Sequence, residues 1–400
     1  MDKIEIKPDI YWVGGIDWDI RNFHGYSTNR GTTYNSYLII DKKITLVDTV
    51  KYYLFDEMLS RIKQIVDPYE IEYIVSNHVE MDHSGSLPKI MDFCKKPTII
   101  TSVRGEKGLK RHYKKNWDFK AVKTADILDI GKRTLHFVEI PMVHWPDSMV
   151  TYIPSDKLLL PNDAFGQHIA SAERFDDQID WGILKEEAAK YYANIVMPYG
   201  SQVEKALEAL SSLDIDMIAP SHGVIWRSLI PKILNEYKNW AQYKTDDKAL
   251  VVYDSMWGST EKIAYTLREG LEEQKIQVKM RNLKNSVISD IITDLLFSKL
   301  ILIGSPTLNN NMMPSIAGFL TYVKGLRPKN RIGFVFGSYG WGGQAVGEME
   351  KIIKDLNWDV PMESINLNYI PDEKELKNVK KIGNELGKYL NKNKKVKKNV

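Results

Sequence analysis

Cysteine is nearly absent from this chain: Cys94 is its only one. One thiol excludes a disulfide framework, a zinc knuckle, a cysteine-ligated iron–sulfur cluster and a fused four-cysteine iron module. Any electrons the chain uses must therefore come from a separate donor. Long apolar runs are missing too. None approaches the ~20 residues of a membrane span, and the N-terminus lacks a signal-peptide layout. The expectation is a cytoplasmic protein with no membrane partner. Charge of one sign is also lacking, with 55 basic against 52 acidic residues and a net charge of +3. That balance argues against a nucleic-acid partner. The small basic excess gathers in Lys392–Lys398, so residues 392–400 read as a frayed, solvated tail, with RNA binding the minor alternative. There is no internal repeat.

What is present is the composition of a soluble globular protein, 43% hydrophobic and 27% charged over 400 residues, enough for two domains. A polar break at Thr245-Asp246-Asp247-Lys248 separates two styles of sequence. The expected boundaries are 1–246 and 247–391, followed by the tail.

The first half is organised around Ser76-Asn77-His78-Val79-Glu80-Met81-Asp82-His83-Ser84-Gly85-Ser86-Leu87-Pro88. This stretch follows Ile71–Val75, an apolar run that reads as a buried strand. Alternation along an extended segment turns His78, Glu80 and Asp82 to one side, and His83 at the turn makes a two-sided cluster able to serve two ions. A polar surface loop would explain one such histidine, but not four convergent ligands. Further ligands follow other apolar runs. His144 opens His144-Trp145-Pro146-Asp147-Ser148, Asp163 opens Asp163-Ala164-Phe165-Gly166-Gln167-His168, and His222 lies in Ser221-His222-Gly223. Ile4–Val13 and Tyr34–Val47 read as strands, and Asp17–Thr28, with His24 and Tyr26, as either a lid or a plain surface loop. Helices are expected at Tyr52–Val66, from about Gly85 to Cys94, and at Lys185–Ala193, Val203–Ser212 and Leu229–Lys244.

In the second half, strands at Ala249–Asp254, Ile276–Leu283, Lys299–Gly304, Arg331–Phe336 and Val360–Leu367 alternate with helices at Glu261–Gln274, Pro314–Lys324, Gly343–Leu356 and Asp372–Asn391. That alternation predicts a doubly wound parallel sheet of order 2-1-3-4-5. Its first strand runs into Ser255-Met256-Trp257-Gly258-Ser259-Thr260 and then a helix. Hydroxyls and helix-start N–H groups there can wrap a monophosphate, although a hydroxyl-rich turn can also be a plain helix cap. The lysine of a nucleoside-triphosphate loop and the glycines of a dinucleotide loop are both absent. Two further loops emerge beside it: Ser305-Pro306-Thr307-Leu308-Asn309-Asn310 and Gly337-Ser338-Tyr339-Gly340-Trp341-Gly342-Gly343. Their aromatic faces and exposed backbone donors suit a flat ring, although Tyr339 and Trp341 could instead be packed aromatics.

The ligand pattern resembles the metallo-β-lactamase superfamily over about the first 245 residues, with Glu80 where its His-x-His-x-Asp-His signature has a second histidine. A carboxylate there, and a bridging Asp163, suit a pair of irons better than hydrolytic zinc. The three loops of the second half resemble those of flavodoxins, which implies FMN. Together the halves resemble the flavodiiron proteins over nearly the whole chain. The resemblance implies an α/β protein: an N-terminal metallo-β-lactamase-like αββα sandwich, and a C-terminal flavodoxin-like doubly wound parallel sheet. It also implies FMN and two Fe ions per chain. His78, Glu80 and His144 would hold one iron, Asp82, His83 and His222 the other, with Asp163 between them. His24 and Tyr191 would be proton donors or gates, with packing the alternative. The implied substrates are O2, NO or both. Reducing O2 to two waters takes four electrons, and a reduced flavin with two ferrous ions holds four; coupling two NO takes two. The donor would be rubredoxin or reduced F420, and the assembly a head-to-tail homodimer or a homotetramer. The competing reading is a zinc hydrolase fused to a flavodoxin-like electron-transfer domain.

Overall fold

Apolar residues alternate between two faces on the central strands of the first half, and this alternation builds its layers. A computed structural model describes residues 3–398, with side chains through 392. Backbone contacts divide the chain into two units. The first runs to Tyr192 and resumes over Tyr199–Gln242; the second is Ala193–Pro198 together with the chain from Tyr243 onward.

The first unit stacks two sheets. Strands Ile4–Lys7, Ile10–Trp12, Tyr37–Ile39, Ile44–Val47, Ile71–Val75, Thr98–Ser102 and Asp118–Val122 lie side by side in that order. The first four pair antiparallel, and from Ile44–Val47 onward the pairs are parallel. The second sheet is Ile127–Asp129, Thr134–Glu139, Met149–Ile153, Leu158–Leu160 and Met217–Ile218. Val47, Val75 and Ile100 point into the core shared with Leu135, Phe137 and Met149, whereas Leu46, Ile74 and Ile99 point the other way, the two-residue period of a pleated strand. That outer face is covered by the helix Phe55–Lys63, which buries Phe55, Met58, Leu59 and Ile62 at i, i+3, i+4 and i+7. On the far side of the second sheet, Leu159 and Ile218 share a groove with Leu207, Leu210 and Leu234 of helices Gly200–Leu210 and Ile230–Ala241. The result is the αββα order.

Several boundaries differ from the sequence reading. Ile4–Val13 and Tyr34–Val47 are each a hairpin rather than one strand, because Pro8-Asp9 and Asp41-Lys42-Lys43 turn the chain. The segment Asp17–Thr28 contains its own small hairpin, Asn22–Phe23 against Tyr26–Ser27, with Phe23 opposite Tyr26. Its two-residue turn is His24-Gly25, both at positive φ (54° and 86°), the backbone that tight hairpins favour and that glycine adopts without strain.

The second unit is a parallel sheet in the order Gln277–Asn282, Asp246–Tyr253, Ser298–Leu308, Ile332–Tyr339, Ile365–Asn368. This is the expected 2-1-3-4-5 arrangement. Its central strands are buried throughout their middles, which suits a parallel sheet covered on both faces. Helices Ser259–Glu273 and Glu373–Lys398 pack on Val251, Leu302 and Phe334. Helix Gln344–Asp355 lies on the opposite face, where Ile353 sits against Gly333. The first strand starts at Asp246, inside what read as a polar break. A further helix, Ile288–Phe297, fills the gap between strands two and three. The last helix carries its backbone to Lys398, where a frayed tail was expected from residue 392; no proline interrupts it, and lysine is an adequate helix former. Residues 399 and 400 of that tail lie outside the described residues.

The helix Trp181–Tyr191 passes into a π-helical turn, Tyr192–Val196. Residues 193–198 are tied into the second unit by side-chain hydrogen bonds. Asn194 donates to the Ser289 carbonyl at 3.1 Å, and the Tyr243 hydroxyl donates to the Met197 carbonyl at 2.8 Å. Among the described residues no helix is long and apolar enough to cross a membrane.

Candidate metal centre and cofactor cleft

The strands of the first unit deliver their ligands at or just beyond their carboxyl ends. Past Ile71–Val75 the chain is extended only as far as Glu80, and a single helical turn, Met81–Ser84, follows. That turn corrects the expected alternation. Asp82 does not join His78 and Glu80 but swings round with His83 to a second group. His144, Asp163 and His222 arrive after Thr134–Glu139, Leu158–Leu160 and Met217–Ile218.

Seven side chains form two nests. In one, His144 Nε2 lies 3.2 Å from Glu80 Oε2 and 3.3 Å from Asp163 Oδ2, while His78 Nε2 lies 3.4 and 3.6 Å from the same two oxygens. In the other, His83 Nε2 lies 2.9 Å from Asp163 Oδ1 and 3.3 Å from Asp82 Oδ2. His222 Nε2 lies 3.5 and 3.2 Å from these. Ligand atoms ~2.1 Å from a common ion lie about 3.4 Å apart when tetrahedral, so each nest has the dimensions of a coordination shell. Asp163 gives one oxygen to each.

The site fits two cations on chemical grounds. Asp82 Oδ1, Asp163 Oδ2 and His83 Nδ1 are buried with no hydrogen-bond partner among the described residues. Of these, Asp163 Oδ2 faces the first nest; leaving it unpaired costs roughly 1–3 kcal/mol, a penalty that an ion bound there offsets. Burial alone would push His83 and His144 toward the neutral form. Asp82 and Asp163 around His83, and Asp163 and Glu80 around His144, outweigh it and raise both to about 9. Burial works against the ionised forms of Glu80 and Asp163 as well. The surrounding imidazoles outweigh it and hold both carboxyls below their usual range. Without ions the nests thus carry protons where cations would sit.

Residues that the motif reading left without a role orient the ligands. Asp147 Oδ2 accepts from His78 Nδ1 and from the Val79 backbone N–H, both at 2.9 Å. The Thr33 carbonyl accepts from His222 Nδ1 at 2.7 Å. Both bonds leave Nε2 as the basic nitrogen facing the nest. Asp48, at the end of Ile44–Val47, accepts from the Asn77 backbone N–H at 2.8 Å and from the side chains of Asn77 and Asn162 at 3.1 Å. It therefore ties together the residues that precede His78 and Asp163. Asp147 had a signal, its place within the His144 motif; Asp48 had none.

His24 stands at the hairpin tip, three-quarters exposed, with Nε2 3.8 Å from Glu80 Oε1. Tyr191 is buried, its ring centroid 5.9 Å from that of His222 and 5.1 Å from that of His168. His168, also buried, donates to or accepts from Thr32 Oγ1 at 2.8 Å. Burial, then the adjacent His222, holds it neutral.

In the second unit the three expected loops surround an open cleft of about 700 Å³ at the carboxyl ends of the strands, in the size range of small-ligand sites. Ser255, Met256, Trp257 and Ser259 line it from the first loop, Pro306 through Asn310 from the second, and Ser338 through Gly342 from the third. Gly258, at φ 88°, caps the helix Ser259–Glu273 and donates its N–H to Ser255 Oγ at 3.1 Å. This turn leaves the first amide groups of the helix available to an anion. Gly258, Thr260 and Gly343 do not line the cleft. Thr260 is instead buried beneath it, 2.8 Å from Ser338 Oγ, and locks the first loop to the third. Tyr369 and Ile370, after the last strand, complete the wall and were not foreseen. Trp257 and Trp341 are 94% and 93% exposed, so they stand at the rim as open ring faces rather than packed aromatics.

A carboxylate-rich pair of nests on a lactamase-like sandwich, joined to a flavodoxin-like unit, defines a redox protein rather than a hydrolase. Comparisons agree. The family model described as "ODP family beta lactamase" matches residues 32–223, and the flavodoxin model matches 251–381. A nitric oxide reductase of Moorella thermoacetica is 44% identical over 96% of this chain and 98% of its own length. The solved rubredoxin oxygen:oxidoreductase of Desulfovibrio gigas is 39% identical at a TM-score of 0.96, covering 97% of this chain and 98% of that one. The flavodiiron protein of Giardia intestinalis is 36% identical at a TM-score of 0.94, covering 98% and 97%. The chain belongs to the flavodiiron family and is an oxidoreductase.

Two outcomes follow from this geometry. Asp147→Ala frees the His78 ring and should weaken ferrous-iron binding about 10- to 100-fold with FMN content unchanged, as read by competition with a chelator and by flavin absorbance. Ser255→Ala and Trp341→Ala should each weaken FMN, with iron held near two per chain; flavin affinity unchanged from the wild type in both variants would move the flavin out of this cleft.

Proposed function

We propose that the chain is a cytoplasmic flavodiiron gas reductase. It reduces O2 to water, NO to nitrous oxide, or both, with electrons passed through FMN from a separate donor, a rubredoxin or reduced F420. The observation that carries this reading is Asp163, buried between two nests and offering one oxygen to each. His78, Glu80 and His144 would hold one iron, and Asp82, His83 and His222 the other. When bound, the irons and FMN supply the electron-carrying and gas-binding capacity that no side chain here provides. The protein's own residues fix the rest. Asp147 and the Thr33 carbonyl set which imidazole nitrogens face inward, burial keeps water from the ligands, and His24 and Tyr191 flank opposite nests as proton donors or gates. The relatives' names cover both gases and a rubredoxin donor.

The cleft's exposed tryptophans form apolar surface that a second copy would cover. We infer a head-to-tail homodimer, or a tetramer of such pairs, in which one chain's flavin serves its partner's irons.

Purified protein should be yellow, hold about two irons per chain, and consume at least one of the two gases in stopped-flow assays with matched donor supply. A colourless zinc protein that consumes neither would instead support the hydrolase reading. For the dimer, mixing His144→Ala chains with flavin-free Ser255→Ala chains should restore turnover that neither shows alone. A monomer by sedimentation that turns over fully would refute cross-chain transfer.

A further inference from the structure

Resting on the reading above, either reaction takes up one proton per electron: four with the four electrons of O2 reduction to two waters, two with the two electrons that convert two NO to N2O and water. The ligands these protons must reach are almost all buried. One carboxyl outside the metal nests is placed to serve that demand. Glu187, on the helix Trp181–Tyr191, is only 5% exposed. Its Oε1 accepts from Arg30 Nε at 3.0 Å, while its Oε2 is buried with no hydrogen-bond partner among the described residues.

Its surroundings lead in two directions. Outward, Arg30 is 43% exposed and lines an open surface cleft of about 570 Å³ with Trp18, Arg21 and Glu173. Inward, Lys190 lies one helical turn along. Its Nζ donates to Ser27 Oγ at 2.8 Å and sits 5.4 Å from the centre of the Tyr26 ring. The Tyr26 ring lies 5.1 Å from His168, and His168 lies 4.7 Å from His222.

We propose that Glu187 is the proton-loading carboxyl of the gas-reducing site: it takes a proton from water in the Arg30 cleft and delivers it inward, through Lys190, to the Ser27–Tyr26 side of the metal nests. In each cycle the O–H bond of the Glu187 acid breaks as the proton moves inward to the reduced substrate, and a proton from bulk solvent, relayed by water in the cleft, restores it; each proton delivered is matched by one electron of the gas reduction, so no net charge accumulates. The charged groups that face Glu187 are Arg30 across from it and Glu186 and Lys190 on its own helix. Burial outweighs the two cations and raises the carboxyl to about 7, so at neutral pH it is divided between acid and carboxylate, as a loading site requires.

The test is Glu187→Gln in the full-chain holoenzyme, which keeps the volume and the acceptor for Arg30 but holds no transferable proton. Turnover of whichever gas the wild type consumes should fall at least about ten-fold, with a larger solvent deuterium isotope effect and unchanged iron and FMN content; Glu187→Asp should recover part of the rate. Independently of activity, infrared titration should show a protonated-carboxyl band in the wild type that is lost with a midpoint near 7 and is missing from the Gln variant. Unchanged turnover in Glu187→Gln, absence of that band, or iron loss in proportion to the rate would overturn the proposal. A wild type that consumes neither gas would instead overturn the reading on which it rests.

Discussion

One buried carboxylate facing four imidazole nitrogens is the constraint around which the N-terminal unit is arranged. Asp163 cannot hold that position by itself, because its backbone lies in a loop. Its N–H donates to Asn162 Oδ1 at 2.9 Å, and Asn162 in turn is anchored on Asp48. The same aspartate anchors Asn77, and the next residue, Thr49, donates its backbone N–H to the His83 carbonyl at 2.9 Å. Two ligand loops, distant in sequence, one carrying His78 and His83 and the other Asp163, are thus indexed to two residues at the end of one strand. Shape at the metal nests is inherited from the sheet rather than negotiated among the ligands.

That arrangement has an electrostatic counterpart. Glu80, Asp82 and Asp163 bring three carboxylates into a space that four histidines share, and almost none of it is open to water. Such a cluster is tolerable only when it is neutralised from within, by protons or by metal. The flavin-side cleft follows the opposite logic. It is open, its walls are loops, and its polar capacity comes from backbone amides and hydroxyls rather than charges. One site has the charge and enclosure that suit cations, the other the openness and donors that suit an anion and a ring.

Much of this was legible in the sequence because it is carried by strong local patterns. The 2-1-3-4-5 sheet announces itself in runs such as Ala249–Tyr253 and Leu300–Ile303, buried on both faces and separated by helices. The ligands lie on or close behind such runs. The division of Asp82 from Glu80 came from the family resemblance and not from residue spacing, since it depends on the helical turn Met81–Ser84, and four residues of helix have no periodicity to read. Helix Ile288–Phe297 was passed over although its pattern is readable: Asp290, Thr293 and Asp294 mark a polar side, and Ile291, Ile292, Leu295 and Leu296 are buried. Asp48, Tyr369 and Ile370 act at places set by tertiary folding, and nothing near them in sequence signals a partner. Nothing in the sequence marks Glu187; it stands out only through burial and the unlike surroundings of its two oxygens.

The π-helical turn after Tyr191 has a consequence for how such a protein can be divided. Six residues, 193–198, leave a helix of the lactamase-like unit and belong to the flavodoxin-like unit, after which the chain returns for two more helices. Tyr243, Tyr322 and Ser289 all spend hydrogen bonds on that short visit. A gene cut at residue 242 would give a flavin half that lacks a piece of its own surface and exposes the groups that piece had satisfied. The two halves are therefore not interchangeable cassettes, and any recombination that swaps one for a relative's must carry the loan across with it.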